Sequence, residues 1–284
     1  MSDEEKLFSP RATAHILGMS EASVKRWVDK GKIKAIKTLG GHRKISLRNI
    51  ISFAETTNHE IKNPELIALL PGTGRLKDKI SKSHGLLESA FEASNEALVF
   101  ALLLDLHVSG MPLANIFDQI LAPALEQVGC DWESGAISVH YERRIIQMCT
   151  RALYSLSKKI KPKMQRDGLV ILGTLSGDHY SIPILMAELI ILENGYVTMF
   201  MGNDLPIENI HQVLDEENCS NLIISHSASY DGDIIATLSD LNSHAQQQQV
   251  SFIFGGRLIT PDILETLSGH THLTNMQKLA DFFS

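Results

Sequence analysis

Residues 168–195 read GLVILGTLSGDHYSIPILMAELIILENG, and the fold of the C-terminal half turns on them. A run of aliphatic and β-branched residues (169–175) ends in a polar loop (176–181). The apolar stretch after it, opening on Ile182-Pro183, is too long for a strand. A strand buried on both faces reads as a continuous apolar run, so the stretch predicts the strand–loop–helix half of a parallel unit. The alternation continues to the end of the chain. YVTMF, NLIISHS and VSFIF read as strands, IENIHQVLDEEN and DIIATLSDLNSHAQQ as helices, and a short strand near 272–274 precedes a terminal helix MQKLADFF. The prediction is a doubly wound parallel sheet, Rossmann-like or flavodoxin-like, over residues 163–284. Such sheets hold ligands at the carboxyl ends of their strands. There the sequence puts His179 after the first strand, Gly202-Asn203-Asp204 after the second, residues 225–229 after the third and Gly255-Gly256 after the fourth.

Upstream, residues 75–162 carry four helical patterns, RLKDKISKSHGLLESAFEA, NEALVFALLLDLHVS, PLANIFDQILAPALEQVGCDW and AISVHYERRIIQMCTRALYSLSKKI. Short links between amphipathic segments predict a four-helix bundle. The second segment is apolar almost all round and should be buried. Trp132 falls in the loop before the last helix and Glu142 on that helix. A segment rich in proline and glycine (57–74), with one short helical turn, reads as a linker.

The head, residues 1–56, has a different grammar. In SPRATAHILGMSEASVKRWVDKGKI, Ser9 can cap a first helix with Pro10 at its first position, and Ser20 can cap a second. Gly18 permits the turn between them and Gly31 ends the second. Val24, Trp27 and Val28 form the apolar side of the second helix, with Lys25 and Arg26 opposite. In KIKAIKTLGGHRKIS, the alternation of Ile33, Ala35 and Ile45 about Gly40-Gly41 predicts a β-hairpin carrying Lys37, His42, Arg43 and Lys44. A third helix should start near Ser46.

Charge divides the chain in the same way. The net charge is -7, yet residues 6–54 hold 11 basic and 2 acidic residues, about +9, which leaves the remainder near -16. A basic helix beside a basic hairpin on an acidic body points to double-stranded DNA as the partner of the head alone. No apolar run reaches the ~20 residues of a membrane helix, so no membrane role is expected. The polar MSDEEK start is not a secretory signal, and three cysteines without paired spacing suit a reducing cytoplasm.

The pattern S-x-x-S-V-K-R-W … G-K-I … T-L-G-G-H-R-K-I resembles the winged helix-turn-helix of the MerR family and of excisionase-like regulators. By that resemblance Ser23, Lys25 and Arg26 face bases or phosphates, and His42, Arg43 and Lys44 form the wing contact; Lys37, on the same basic hairpin, is a further candidate for DNA. The stretch from Pro123 to Glu142 resembles the helical cap of cobalamin-binding modules in the CarH/LitR family of light-sensing repressors. The last domain is similar to their cobalamin-binding domain, with signatures E/D-x-H-x-x-G, S-x-L/T and G-G. The resemblance implies adenosylcobalamin as cofactor, His179 as the cobalt ligand, Trp132 and Glu142 at its upper face, and Ser225, Gly255 and Gly256 around it. It also implies a homo-oligomer, dimer or tetramer, that binds an operator in the dark and represses. A regulatory protein partner fits the same plan.

Departures from the pattern concentrate in one loop. The family carboxylate two residues before the histidine is Gly177, and the glycine three residues after it is Ile182. The third position of S-x-L/T is Ser227. The histidine that captures cobalt after photolysis is Arg143, which has no lone pair to give, so a weakened or absent light response is expected; His140, three residues earlier on the same helix face, is a candidate substitute but reads first as a surface histidine. These changes describe a cobalamin loop that has drifted, in a regulator that senses a ligand, light or a partner. A corrinoid carrier in methyl transfer is the alternative, and zinc lacks a four-ligand spacing.

Overall fold

The computed structural model describes residues 7–38, 40–57, 59, 61–62, 76–108, 110–160, 162, 164–258, 263 and 271–284. Most of the expected linker, its helical turn and His270 lie outside them. The chain divides into two compact units, Met1–Pro112 with Gln119–Met148, and Leu113–Asp118 with Cys149–Ser284.

In the first unit the helix-turn-helix forms from its caps. The Ser9 hydroxyl accepts from the Ala12 N–H at 3.1 Å and starts α1 (Pro10–Ile16). Ser20 does the same for Ser23 at the head of α2 (Glu21–Asp29). Gly18 turns the chain between them at φ 64°, which a residue with a Cβ adopts only under strain. Ile16, Leu17 and Val24 are fully buried. Helix α3 (Leu47–Thr57) brings Phe53 against Trp27, ring centroids 4.7 Å apart, so Trp27 packs half-buried on the core side of α2.

The hairpin is present, and its first arm differs from the expected one. Strand β2 is Ile36–Lys37 and pairs antiparallel with β3 (Arg43–Ser46), Ile36 opposite Lys44 and Lys37 opposite Arg43. Ile33 is buried before the strand begins, while Ile36 is exposed. The alternation over 33–35 therefore marks the entry to the core and not the strand. A further strand, β1 (Leu7–Phe8), pairs with the other edge of β3 and was not legible, because two residues are too few to show a period.

Helices α4 (Leu76–Glu92) and α5 (Glu96–Val108) follow. From Ala101 to Val108 α5 is buried all round, as its composition predicts, Asp105 and His107 included. The expected third helix is interrupted. Helix α6 (Leu113–Ile116) runs into a π turn (Phe117–Leu121) before α7 (Ala122–Glu133). Pro123 supplies the cause. A proline has no N–H for the carbonyl four residues back, and its ring collides with that carbonyl in a regular helix; a widened turn relieves both. Trp132 lies in the last turn of α7, not in a loop. Helix α8 (Val139–Ser157) carries Glu142 in its first turn.

The second unit holds a five-stranded, wholly parallel sheet of order β5-β4-β6-β7-β8, where β4 is Leu169–Thr174, β5 Val197–Phe200, β6 Asn221–Ser225, β7 Ser251–Gly255 and β8 Thr271–His272. This is the flavodoxin-like order. It reverses between β4 and β6, and a ligand crevice opens at the carboxyl ends of those two strands. One face of the sheet buries Ile171, Leu222, Ile224, Phe252 and Phe254 under α10 (Ile207–Glu216) and α11 (Ile234–Gln247). On the other face α9 (Ile182–Glu193) packs along β4 and β5, and α12 (Met276–Phe282) packs on α9. Coverage on both sides explains why α9 is apolar all round. The Asp118 carboxylate, in the π turn, accepts from the Met276 and Gln277 N–H groups at 3.0 and 2.9 Å and so caps α12.

Candidate functional sites: a nucleic-acid face and a sheet crevice

On the head, the side chains expected at DNA stand on the two predicted elements. Lys25 and Arg26 are exposed on α2, Ser23 is half-buried at its first turn, and Lys37 and His42 are exposed on the hairpin. Lys25 pairs with Glu21 at 2.7 Å on its own helix, an exposed i,i+4 contact of about 0.3–0.5 kcal/mol that a phosphate can displace. Arg43 and Lys44 are half-buried. Arg43 is not free. Its Nη2 donates to Asp29 Oδ1 at 2.6 Å, which joins the wing to the end of α2. Nothing in the sequence pattern singled out Asp29; an acid ending a basic helix was the available signal.

At the sheet crevice the loops after β4, β5 and β6 are wired together. The Thr174 hydroxyl donates to the Asp178 carbonyl at 2.7 Å and accepts from the Asp204 N–H at 3.0 Å. Asp204 Oδ1 accepts from the Gly177 N–H at 2.8 Å, and the Asn203 amide donates to the His179 carbonyl at 3.0 Å. Asp178 is fully buried, its carboxylate accepting from the Tyr180 N–H at 2.8 Å and the Ser227 N–H at 2.6 Å. It therefore turns toward the β6 loop and away from His179. His179 is exposed, and its imidazole makes no hydrogen bond or ion pair among the described residues. A cleft of about 410 Å³ opens here, lined by Ser176, Gly177, Ser229, Tyr230 and Asp231.

His226 escaped the sequence reading. It follows the strand end directly, is 1% exposed, and neither ring nitrogen makes a hydrogen bond of good geometry. Its Nδ1 is 4.0 Å from Asp178 Oδ2, and its ring packs edge-on against Tyr230 at 5.4 Å. Burial pushes its pKa down, with the Asp178 carboxylate and then the Ser229 backbone opposing. Gly256, at φ 110°, sits against this residue: a methyl there would overlap the His226 carbonyl. Gly255 likewise faces the Leu273 carbonyl. The backbone approach at this glycine pair is thus made by the protein's own chain. Ser225 is buried at the end of β6.

In the first unit Trp132 is 45% exposed. The Glu142 carboxylate is mostly covered and lies 3.5 Å from the Arg143 guanidinium, which is solvent-exposed. His140 is exposed and its Nε2 is 3.3 Å from the Ser138 hydroxyl. Among the described residues no three His, Cys, Asp or Glu side chains are placed to hold a metal ion, and no helix is long and apolar enough to cross a membrane.

A basic winged helix-turn-helix joined to a flavodoxin-like domain with a histidine at its crevice is the plan of a DNA-binding regulator. Comparison with known proteins agrees. Residues 7–58 match the family model described as a helix-turn-helix domain. The chain is 24% identical over 224 residues to the HTH-type transcriptional repressor CarH of Myxococcus xanthus, across 72% of this chain and 74% of that protein. Its fold is similar to that of the monomethylamine corrinoid protein of Methanosarcina barkeri, with a TM-score of 0.59 at 18% identity, covering 71% of this chain and 97% of that one. The plan is CarH-like, a helix-turn-helix fused to a body with a corrinoid-protein fold.

The residues meet a cobalamin in part. An exposed imidazole with no partner is the right donor for cobalt, and His179 supplies it. The carboxylate that would fix such a ligand's tautomer is absent, because Gly177 has no side chain and Asp178 is held by Ser227.

Proposed function

We propose that the chain is a transcriptional repressor, not an enzyme, in which residues 1–56 bind operator DNA and residues 163–284 sense a ligand and control oligomerisation. The observation that carries this reading is the unengaged His179 imidazole beside the crevice, in a chain whose head presents Lys25, Arg26, Lys37 and His42 to solvent. His179 is the residue that would hold a cobalamin. When bound, the corrin would supply a cobalt centre that takes a nitrogen donor. Asn203 holds the His179 carbonyl and Asp204 holds the Gly177 N–H two residues before it. Arg143 has no lone pair for cobalt, so illumination has little effect on assembly.

A second reading rests on a different observation. Asp178 is locked onto Ser227, and the His226 backbone occupies the space at Gly256. In that reading the body works without cobalamin, through another ligand or a protein partner. Incubation of the purified chain with adenosylcobalamin in the dark, then desalting and a visible spectrum, separates the two. Corrin absorption that co-elutes and is lost in His179→Ala supports the first. Its absence, with operator binding retained, leaves the second. A carrier in methyl transfer has no use for the basic head and requires a corrin that turns over.

A further inference from the structure

The pair between Asp29 and Arg43 gives the wing a role beyond its charges. Asp29 closes α2, where a carboxylate meets the negative end of the helix dipole and is disfavoured. It is held there against a guanidinium that reaches from the first residue of β3, at 2.6 Å. The arginine side chain is 30% exposed, and its Nε is buried with no hydrogen-bond partner. Arg43 is thus folded back onto α2 and is not extended toward solvent. It sits opposite Lys37 in the hairpin register, so whatever fixes Arg43 fixes the base of the wing. Strand β2 is two residues long and pairs with β3 alone, so the outer arm of the wing is held only weakly, and the ion pair ties β3 to the helix that carries Lys25 and Arg26.

We infer that Asp29 is a positioning residue for DNA recognition, and that it acts by holding Arg43 so that the wing and α2 meet the duplex in one geometry. Arg43 then belongs to the scaffold and is not one of the phosphate contacts. The inference rests on the DNA-binding reading.

The test uses the full chain and a duplex that the wild-type protein selects from a random-sequence pool. Binding is read by fluorescence anisotropy across a salt series for Asp29→Asn, Arg43→Gln and the exchanged double variant Asp29→Arg with Arg43→Asp. Each single variant should weaken binding to the selected duplex by about 5- to 20-fold, the loss expected for one charge-assisted hydrogen bond. The slope of affinity against salt should stay unchanged. The exchanged variant should recover most of the loss. A tighter or unchanged Asp29→Asn, or a fall of about 0.9 in the salt slope for Arg43→Gln, makes Arg43 a phosphate contact and overturns the inference. Hydrogen exchange on the free protein decides independently of DNA: amides over 37–44 should exchange faster in Asp29→Asn. Unchanged exchange there overturns positioning even if no duplex is ever selected, whereas failure to select a duplex with faster exchange counts only against the DNA-binding reading.

Discussion

In the head, Lys25, Arg26, Lys37 and His42 stand exposed on a helix and a hairpin whose shared core is closed by Ile16, Val24 and Ile45, and Lys25 adds only an exposed pair with Glu21. At the sheet crevice the polar groups are themselves the structure. Thr174, Asp178, Asn203 and Asp204 hold three loops together through hydrogen bonds that run from buried to exposed, and the His179 imidazole stands outside that network. The difference teaches how each site can drift. A surface charge on a rigid element can be replaced singly. A loop network changes as a unit, so a carboxylate lost at position 177 goes with one redirected at 178.

The sharpest way to break this comparison is Gly256→Ala. If the glycine pair exists for the fold, the added methyl meets the His226 carbonyl at a φ of 110° that alanine resists. A loss of about 3 kcal/mol or more in urea unfolding is expected. A neutral effect would show that the glycine is kept for a ligand instead.

Next in size is Asp178→Ala. It strands the Ser227 and Tyr180 N–H groups, and leaving buried donors unpaired should cost about 2–4 kcal/mol. In a double variant with Asp204→Ala the losses should fail to add, since both carboxylates hold the same loop. Additive losses would mean the loops are independent and the network description is wrong.

The head should behave oppositely. Arg26→Ala should weaken every duplex by about 5- to 10-fold and lower the salt slope by about 0.9, with the fold left stable. Combined with Lys37→Ala, the losses should multiply. Strong coupling between the two would place the head in the same class as the crevice.

Much of this was legible in the sequence, for reasons that differ by level. Ser9, Ser20, Gly18 and Gly31 announce the helix-turn-helix because caps and turns are chemistry of adjacent residues. Continuous apolar runs gave the parallel sheet, and its strand ends gave the crevice. The π turn before Pro123 and the pair strand at Leu7–Phe8 were not legible, since each depends on a neighbour or a carbonyl that spacing does not reveal. The crevice wiring was hidden for the same reason. Asp178 binds Ser227, 49 positions away, and Asp29 binds Arg43 across a hairpin whose first arm the alternation misplaced.

The smallest expected effect comes from His226, and it turns on sign. Burial holds its imidazole below the ordinary value of 6.5, against the pull of Asp178. The unfolded chain therefore takes up a proton as pH falls through 6.5, while the folded chain still refuses it. Stability from this group is complete above the unfolded pKa, declines as pH drops below it, and levels off once the folded ring is protonated. Urea midpoints at about pH 7.5, 6.5 and 5.5 should fall in that order for the wild type, with part of the fall missing in His226→Gln. The effect is modest because the nearby carboxylate, 4.0 Å away, offsets part of the cost of charging the ring. Identical slopes in the two proteins would mean that His226 is hydrated in solution. The crevice would then be open at its base, and the contrast with the head would narrow to the exposed loop around His179.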